Sequence, residues 1–102
     1  MYQSKTQNPP SKIPREVAQA TAATFAAQQL ADILQAGTPY LVTTGNGLCW
    51  RVPLLLSHPA LFTPTPAATL DINAQTGQPV LTAEQQHTLM LQIYQAFRQV
   101  LR

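Results

Sequence analysis

Apolar residues recur along this chain at two different spacings, and each change of period marks an element. Between Pro14 and Ala36 the spacing is helical. Ala23, Ala26, Ala27, Leu30, Ile33 and Leu34 fall on one stripe. Pro14 suits the first turn of such a helix, where its missing N–H costs nothing. Gly37 supplies a stop and Pro39 prevents resumption. The pattern predicts one helix from Pro14 to Ala36, rich in alanine. Small side chains admit a close neighbour, which is either the protein's own sheet, the usual arrangement for an amphipathic helix, or a second copy of the same helix.

From Tyr40 the period changes to two. Leu48, Trp50, Val52, Leu54 and Leu56 alternate with Cys49, Arg51, Pro53 and Leu55. With Tyr40–Thr44 this predicts a β-hairpin turning at Gly45-Asn46-Gly47. Pro53 cannot donate to a ladder, so the second strand is at an edge there or bulges. Ser57–Pro66 has three prolines, no period, and two large apolar residues, Leu61 and Phe62. Ala68, Leu70, Ile72 and Ala74 alternate again. Asn73–Gly77 is turn chemistry, with Gly77 at the left-handed position, and Gln78–Leu81 pairs back briefly. Thr82 and Gln85 have capping-box spacing. Leu89, Met90, Ile93, Phe97, Val100 and Leu101 then give a last helix its apolar face. Arg98 and Arg102 suit its C-terminal dipole.

The predicted fold is α+β: an N-terminal helix, a three- to four-stranded antiparallel sheet and a C-terminal helix, both helices on one face of the sheet. Trp50, Val52, Leu54, Leu70, Ile72, Leu89, Ile93 and Phe97 are the expected core, with Trp50 and Phe97 near its middle. Met1–Ile13 is polar and aperiodic and reads as a flexible tail. Residues 14–102 read as a single domain.

Composition sharpens this picture in one respect. Only 10% of the 102 residues are charged, against about 25% in ordinary domains. Glutamines such as Gln19, Gln28, Gln29, Gln85, Gln92, Gln95 and Gln99 keep the helix surfaces polar instead. Weakly charged surfaces associate readily, and a small core gains from shared burial. A homodimer is therefore expected, with the sheet edge or an alanine-rich helix face contributing to a two-fold interface. The net charge of +2 is spread along the chain, with no basic stripe of the kind nucleic acid requires. One cysteine excludes an internal disulfide, and no apolar run approaches the ~20 residues that span a bilayer. No leader pattern precedes the first helix. A cytoplasmic protein without membrane contact is the expectation.

Candidate chemistry is sparse. Catalysis needs convergent groups with tunable protons, and Cys49, His58, His87 and Asp71 lack the spacing of a zinc site. Cys49 has no neighbouring base in sequence to activate it. No cofactor or metal is expected, and no catalytic residue is assigned. Arg51 and Asp71 are the charged pair inside strands. Their parity puts both on the face opposite the core, as a cross-strand ion pair or part of a polar binding face. Leu61 and Phe62 complete the candidate partner-binding residues, because apolar side chains on an irregular loop call for a cover.

Two phrases, "WRVP" at Trp50–Pro53 and "LDINAQTGQPVL" at Leu70–Leu81, carry a resemblance. Together they resemble a group of small, mainly cyanobacterial proteins of undetermined function, some encoded beside PIN-domain ribonuclease toxins. The T-G turn is also similar to that of PepSY-like domains, with Asn73 where those have aspartate and Gln78 in place of glutamate. The first resemblance implies an antitoxin-like or regulatory partner protein. The expected function is a non-catalytic protein-interaction module that binds itself and a protein encoded nearby. The alternative is a small-ligand-binding regulatory domain, with a pocket between helices and sheet near Trp50, Tyr94 and Phe97.

Overall fold

The computed structural model describes residues 12–59 and 61–100. A helix, four antiparallel strands and a second helix follow in chain order. They are α1 (Arg15–Phe25), β1 (Leu34–Ala36), β2 (Tyr40–Thr44), β3 (Gly47–Leu56), β4 (Thr65–Asn73) and α2 (Ala83–Val100). The α+β class and the helix at each end are as the sequence predicts.

Every named strand pairs with β3. β4 runs along one whole side of it, with Arg51 opposite Asp71 and Val52 opposite Leu70. The other side is shared. β2 covers the first half, closing the hairpin at Thr44 opposite Gly47. β1 covers the second, with Leu34 opposite Leu56 and Ala36 opposite Leu54. Gly47 takes the positive φ, +96°, that the hairpin loop requires.

The first helix is shorter than the spacing predicts. After Phe25 the chain makes a π-helical turn, Ala26–Leu30, in which the Ala31 N–H donates to the Ala26 carbonyl at 2.8 Å. Ala31 is already extended, at φ −162° and ψ 139°. Leu34–Ala36 therefore belongs to the sheet and not to the helix. Leu30, Ile33 and Leu34 fit a helical stripe, and a short apolar run does not distinguish helix from strand. The second half of β3 decides the matter. Its backbone groups on that side need a ladder partner, and β1 supplies it. The Ser57 N–H donates to the Ile33 carbonyl and the Gly37 N–H to the Pro53 carbonyl, each at 2.8 Å.

Gly37 does not end a helix. It lies between β1 and β2, where a Cβ would come within 3.3 Å of the Pro53 Cβ. The same place explains how a central strand tolerates a proline. Pro53 turns its missing N–H toward the interruption between the two short strands, so little of a ladder is lost there.

One row of alanines on α1 and the π-helical turn after it faces the protein's own sheet. Ala18, Ala22 and Ala26, one per turn, are fully buried. They join Leu34, Val52, Leu54, Leu56, Leu70, Ile72, Leu89 and Ile93 in one cluster that includes both helices. The sheet residues of this cluster share one face by alternation. The stripe is rotated from the expected one, and Ala27 is exposed. Methyl groups on α1 let its backbone lie close over large leucines, each worth roughly 1.5–3 kcal/mol when buried.

Trp50 and Phe97 do not meet at the centre. Both are partly buried at the margin of the cluster. The Trp50 indole N–H donates to the Ile13 carbonyl at 2.8 Å, whereas Phe97 packs against His58, beyond the far end of β3. The Ile13 N–H donates in turn to the Ala74 carbonyl at 3.1 Å. Ile13, placed with the tail by its sequence context, is thus tied to the sheet; residues 1–11 of that tail lie outside the described residues.

The turn after β4 forms as its sequence predicts. The Asn73 side-chain oxygen accepts from the Gln75 and Thr76 N–H groups at 2.7 and 2.9 Å, and Gly77 takes φ +78°. Pro79 then bridges back to Ile72. The capping box is reciprocal: the Gln85 N–H donates to Thr82 Oγ1 at 3.1 Å, and the Thr82 N–H to Gln85 Oε1 at 2.8 Å.

Candidate functional site

The connection between β3 and β4 holds two adjacent apolar side chains that part company. The Leu61 N–H donates to the His58 carbonyl at 2.9 Å, and the Leu61 side chain packs against the core. The His58 ring meets Phe97 edge-on, with centroids 5.8 Å apart. Phe62, held between Leu61 and the Pro64 and Pro66 rings in sequence, is fully exposed. A partly buried neighbour and nearby prolines restrict the backbone that presents it.

Arg51 and Asp71 stand directly opposite each other on β3 and β4. The guanidinium donates twice to the carboxylate, Nε to Oδ1 at 2.9 Å and Nη2 to Oδ2 at 3.0 Å. This two-pronged hydrogen bond, then the carboxylate's charge, raises the Arg51 pKa further above its ordinary value. The pair is partly exposed and lies on the face away from the core, because Val52 and Leu70 beside it point inward. Leu61 packs on the core side, so the four candidate partner-binding residues form two places and not one.

The candidate chemistry does not converge. Cys49 is buried, with Thr44 Oγ1 3.8 Å from its sulfur. His87 is exposed on α2. Among the described residues no three His, Cys, Asp or Glu side chains come together to hold a metal. No helix among them is long and apolar enough to cross a membrane.

Two further features give residues to a pocket beside the sheet and to a sheet edge, which the sequence pattern leaves unplaced. One is an open cleft of about 370 Å³ between β4 and α2, lined by the apolar Leu70 and Leu89, the polar Gln85 and Thr88, and the acidic Asp71 and Glu84. Its signal is present in the sequence as the 3-4 spacing of Gln85, Thr88 and Gln92, a polar stripe beside the apolar one. The other is the outer edge of β2, where Tyr40 and Leu41 are 50% and 44% exposed. The alternating strand pattern announced β2 but not which of its edges would be left open.

No family model, no curated protein and no solved structure matches the chain. Within the fold, Trp50–Pro53 is the middle of the strand that all others pair with, and Thr76-Gly77 is the turn that brings Pro79 back to β4.

Proposed function

We propose that this chain is a non-catalytic protein-interaction module that binds a second protein through the loop between β3 and β4, in the manner of an antitoxin-like or regulatory partner protein encoded beside its target. One observation carries the reading. Phe62 is fully exposed while the residue before it is partly buried against the core. A large aromatic side chain on a restrained loop is the form of an interface anchor. It offers much contact area with few side-chain torsions to freeze. Leu61 is the foot of this anchor. The Arg51–Asp71 pair belongs to the opposite face and offers a polar surface there. The setting is cytoplasmic, and the module needs no cofactor.

Co-expression with the product of the adjacent gene tests the proposal. Wild-type protein co-purifies with that product, and Phe62→Ala abolishes co-purification while leaving the melting temperature within about 2 °C. A variant that still binds equally well removes Phe62 from the interface. One that unfolds shows that the loop serves stability instead.

The cleft between β4 and α2 favours a second reading, a small-ligand-binding regulatory domain. Its volume lies within the range of ligand sites. Its lining runs along β4 and α2 and includes neither Trp50 nor Phe97. Its lining joins amides and hydroxyls to the acidic residues Asp71 and Glu84, which suits a hydrogen-bonding ligand that is neutral or cationic. A small molecule retained by the purified protein and lost in Leu89→Trp would support it.

A further inference from the structure

The backbone groups at the rim of the sheet show where a further strand can add. On β1 the Ala36 and Gly37 carbonyls are taken, because the Gln19 side-chain amide donates to both, at 3.1 and 2.9 Å. On β4 the Asp71 carbonyl accepts from the Val80 N–H, and the Asn73 N–H donates to the Gln78 carbonyl, each at 2.8 Å. What remains open of β4, around Thr69, lies beside α2 in the cleft.

β2 has no such cover. The Asp71 carbonyl and Asn73 N–H point away from β3, so their partners Arg51 and Cys49 turn their own backbone groups toward β2. Tyr40 and Val42 oppose those residues and are the ones bonded to β3. Leu41 and Thr43 must then direct their N–H and C=O groups outward, and nothing among the described residues meets them. Edge strands are ordinarily protected by charge, proline or a bulge. Tyr40-Leu41-Val42-Thr43-Thr44 contains no charge and no proline, and its pairing with β3 is regular throughout.

We propose that this edge pairs with itself, joining two copies of the chain about a two-fold axis at Val42, a surface that deepens and rests on the reading as an interaction module. The two outward residues lie symmetrically on either side of Val42. Antiparallel self-pairing therefore sets Leu41 opposite the partner's Thr43 and Thr43 opposite the partner's Leu41. All four outward N–H groups then find carbonyls. Val42 meets its own counterpart, and Tyr40 meets the partner's Thr44. The half-exposed Leu41 is covered, and a single antiparallel sheet runs through both copies. Charge on the strand does not oppose the approach, since β2 carries none and Arg51, opposite Tyr40 on β3, is paired with Asp71. A five-residue strand buries less than the roughly 1,200–2,000 Å² of a standard stable interface. The dimer is accordingly weak and concentration-dependent.

Light scattering coupled to size exclusion tests this on the full chain. Dimer is expected at about 500 μM and monomer at about 5 μM, a transition centred near the micromolar range that small interfaces give. Val42→Lys, which sets two ammonium groups side by side on the axis, should be monomeric at both concentrations with an unchanged melting curve. The second variant reads geometry directly. Val42→Cys, with Cys49→Ala to remove the thiol opposite it on β3, should form an intermolecular disulfide on mild oxidation. The non-hydrogen-bonded pair at the axis brings the Cα atoms to about 4.5 Å, within disulfide range. Tyr40→Cys, with the same Cys49→Ala change, should not. Monomer alone at 500 μM, dimer persisting in a folded Val42→Lys, or equal cross-linking of the two cysteine variants would each overturn the proposal. Binding that depends on Phe62 is read in a separate assay, so loss of the dimer leaves the module reading standing, and loss of partner capture leaves the dimer standing.

Discussion

Leu54 and Leu55 are neighbours on β3 with the same side chain, and the alternation of the strand sends them to opposite fates. Leu54 is fully buried. Its cross-strand partners are Ala36 and Ala68, which have no reach to refill space. Leu54→Ala removes hydrocarbon worth roughly 2 kcal/mol in transfer at ~0.8 kcal/mol per methylene. The cavity left under α1 adds to this at about 24 cal/mol per Å³. A total of about 4 kcal/mol follows, toward the upper end for such changes, because the flanking methyl groups cannot collapse inward. A domain of this size has about 5–15 kcal/mol in all. With roughly 4–8 °C lost per kcal/mol, the melting temperature should drop by about 15–30 °C. Leu55→Ala acts on the other face, where the residue is partly exposed between Gln35 and Pro66 and no closed cavity results. Its cost should stay below about 1.5 kcal/mol. Thermal and urea unfolding of the two variants, compared at equal protein concentration, gives the contrast. Equal losses would refute the placing of Leu54 and Leu55 on opposite faces of the sheet.

Thr82→Ala removes the hydroxyl that accepts from the Gln85 N–H, while the backbone N–H at position 82 can still donate to Gln85 Oε1; it should cost about 1 kcal/mol, read as a lower urea midpoint with an unchanged slope. Gly77→Ala adds a Cβ at φ +78° and 3.2 Å from Ile13 Cδ1. A loss of roughly 1–2 kcal/mol is expected, and a neutral result would show that the turn relaxes. Replacing Cys49 by Ser and both His58 and His87 by Gln should leave partner capture intact, since none of the three is assigned chemistry. Lost capture in a folded protein would contradict the non-catalytic reading.

Much of the fold was legible wherever a residue's preference and its tertiary setting agreed. Thr82 and Gln85 cap α2 because the cap is a purely local bond pair. Arg51 and Asp71 meet because parity and a short connection leave them few alternatives. The end of the first helix was not legible, and the reason is physical. Leu34 and Ala36 satisfy a helical stripe and a strand alternation equally well, and the choice is made by Leu54 and Leu56, some twenty residues away in sequence. Gly37 was read as a helix stop for the same reason. Only the presence of Pro53 across the gap shows why a side chain is excluded. Of the candidate site, the exposure of Phe62 and the packing of Leu61 could not be separated by composition, because both are apolar residues on one aperiodic loop.

That all named strands pair with β3 has a consequence for how this protein comes apart. β1, β2 and β4 never pair with one another, so none of them remains half of a sheet once the central strand leaves. The interior alanines of α1 and the leucines of α2 rest on that same strand and its neighbour β4. Among the described residues there is no separable subdomain on which a partial structure could persist. Amide groups of Trp50, Val52 and Leu54, paired into β4, exchange with solvent only through global opening, whereas the outward amides of Leu41 and Thr43 exchange without it. A chain so small and so sparsely charged is thereby spared long-lived, half-open states, which are the ones that aggregate.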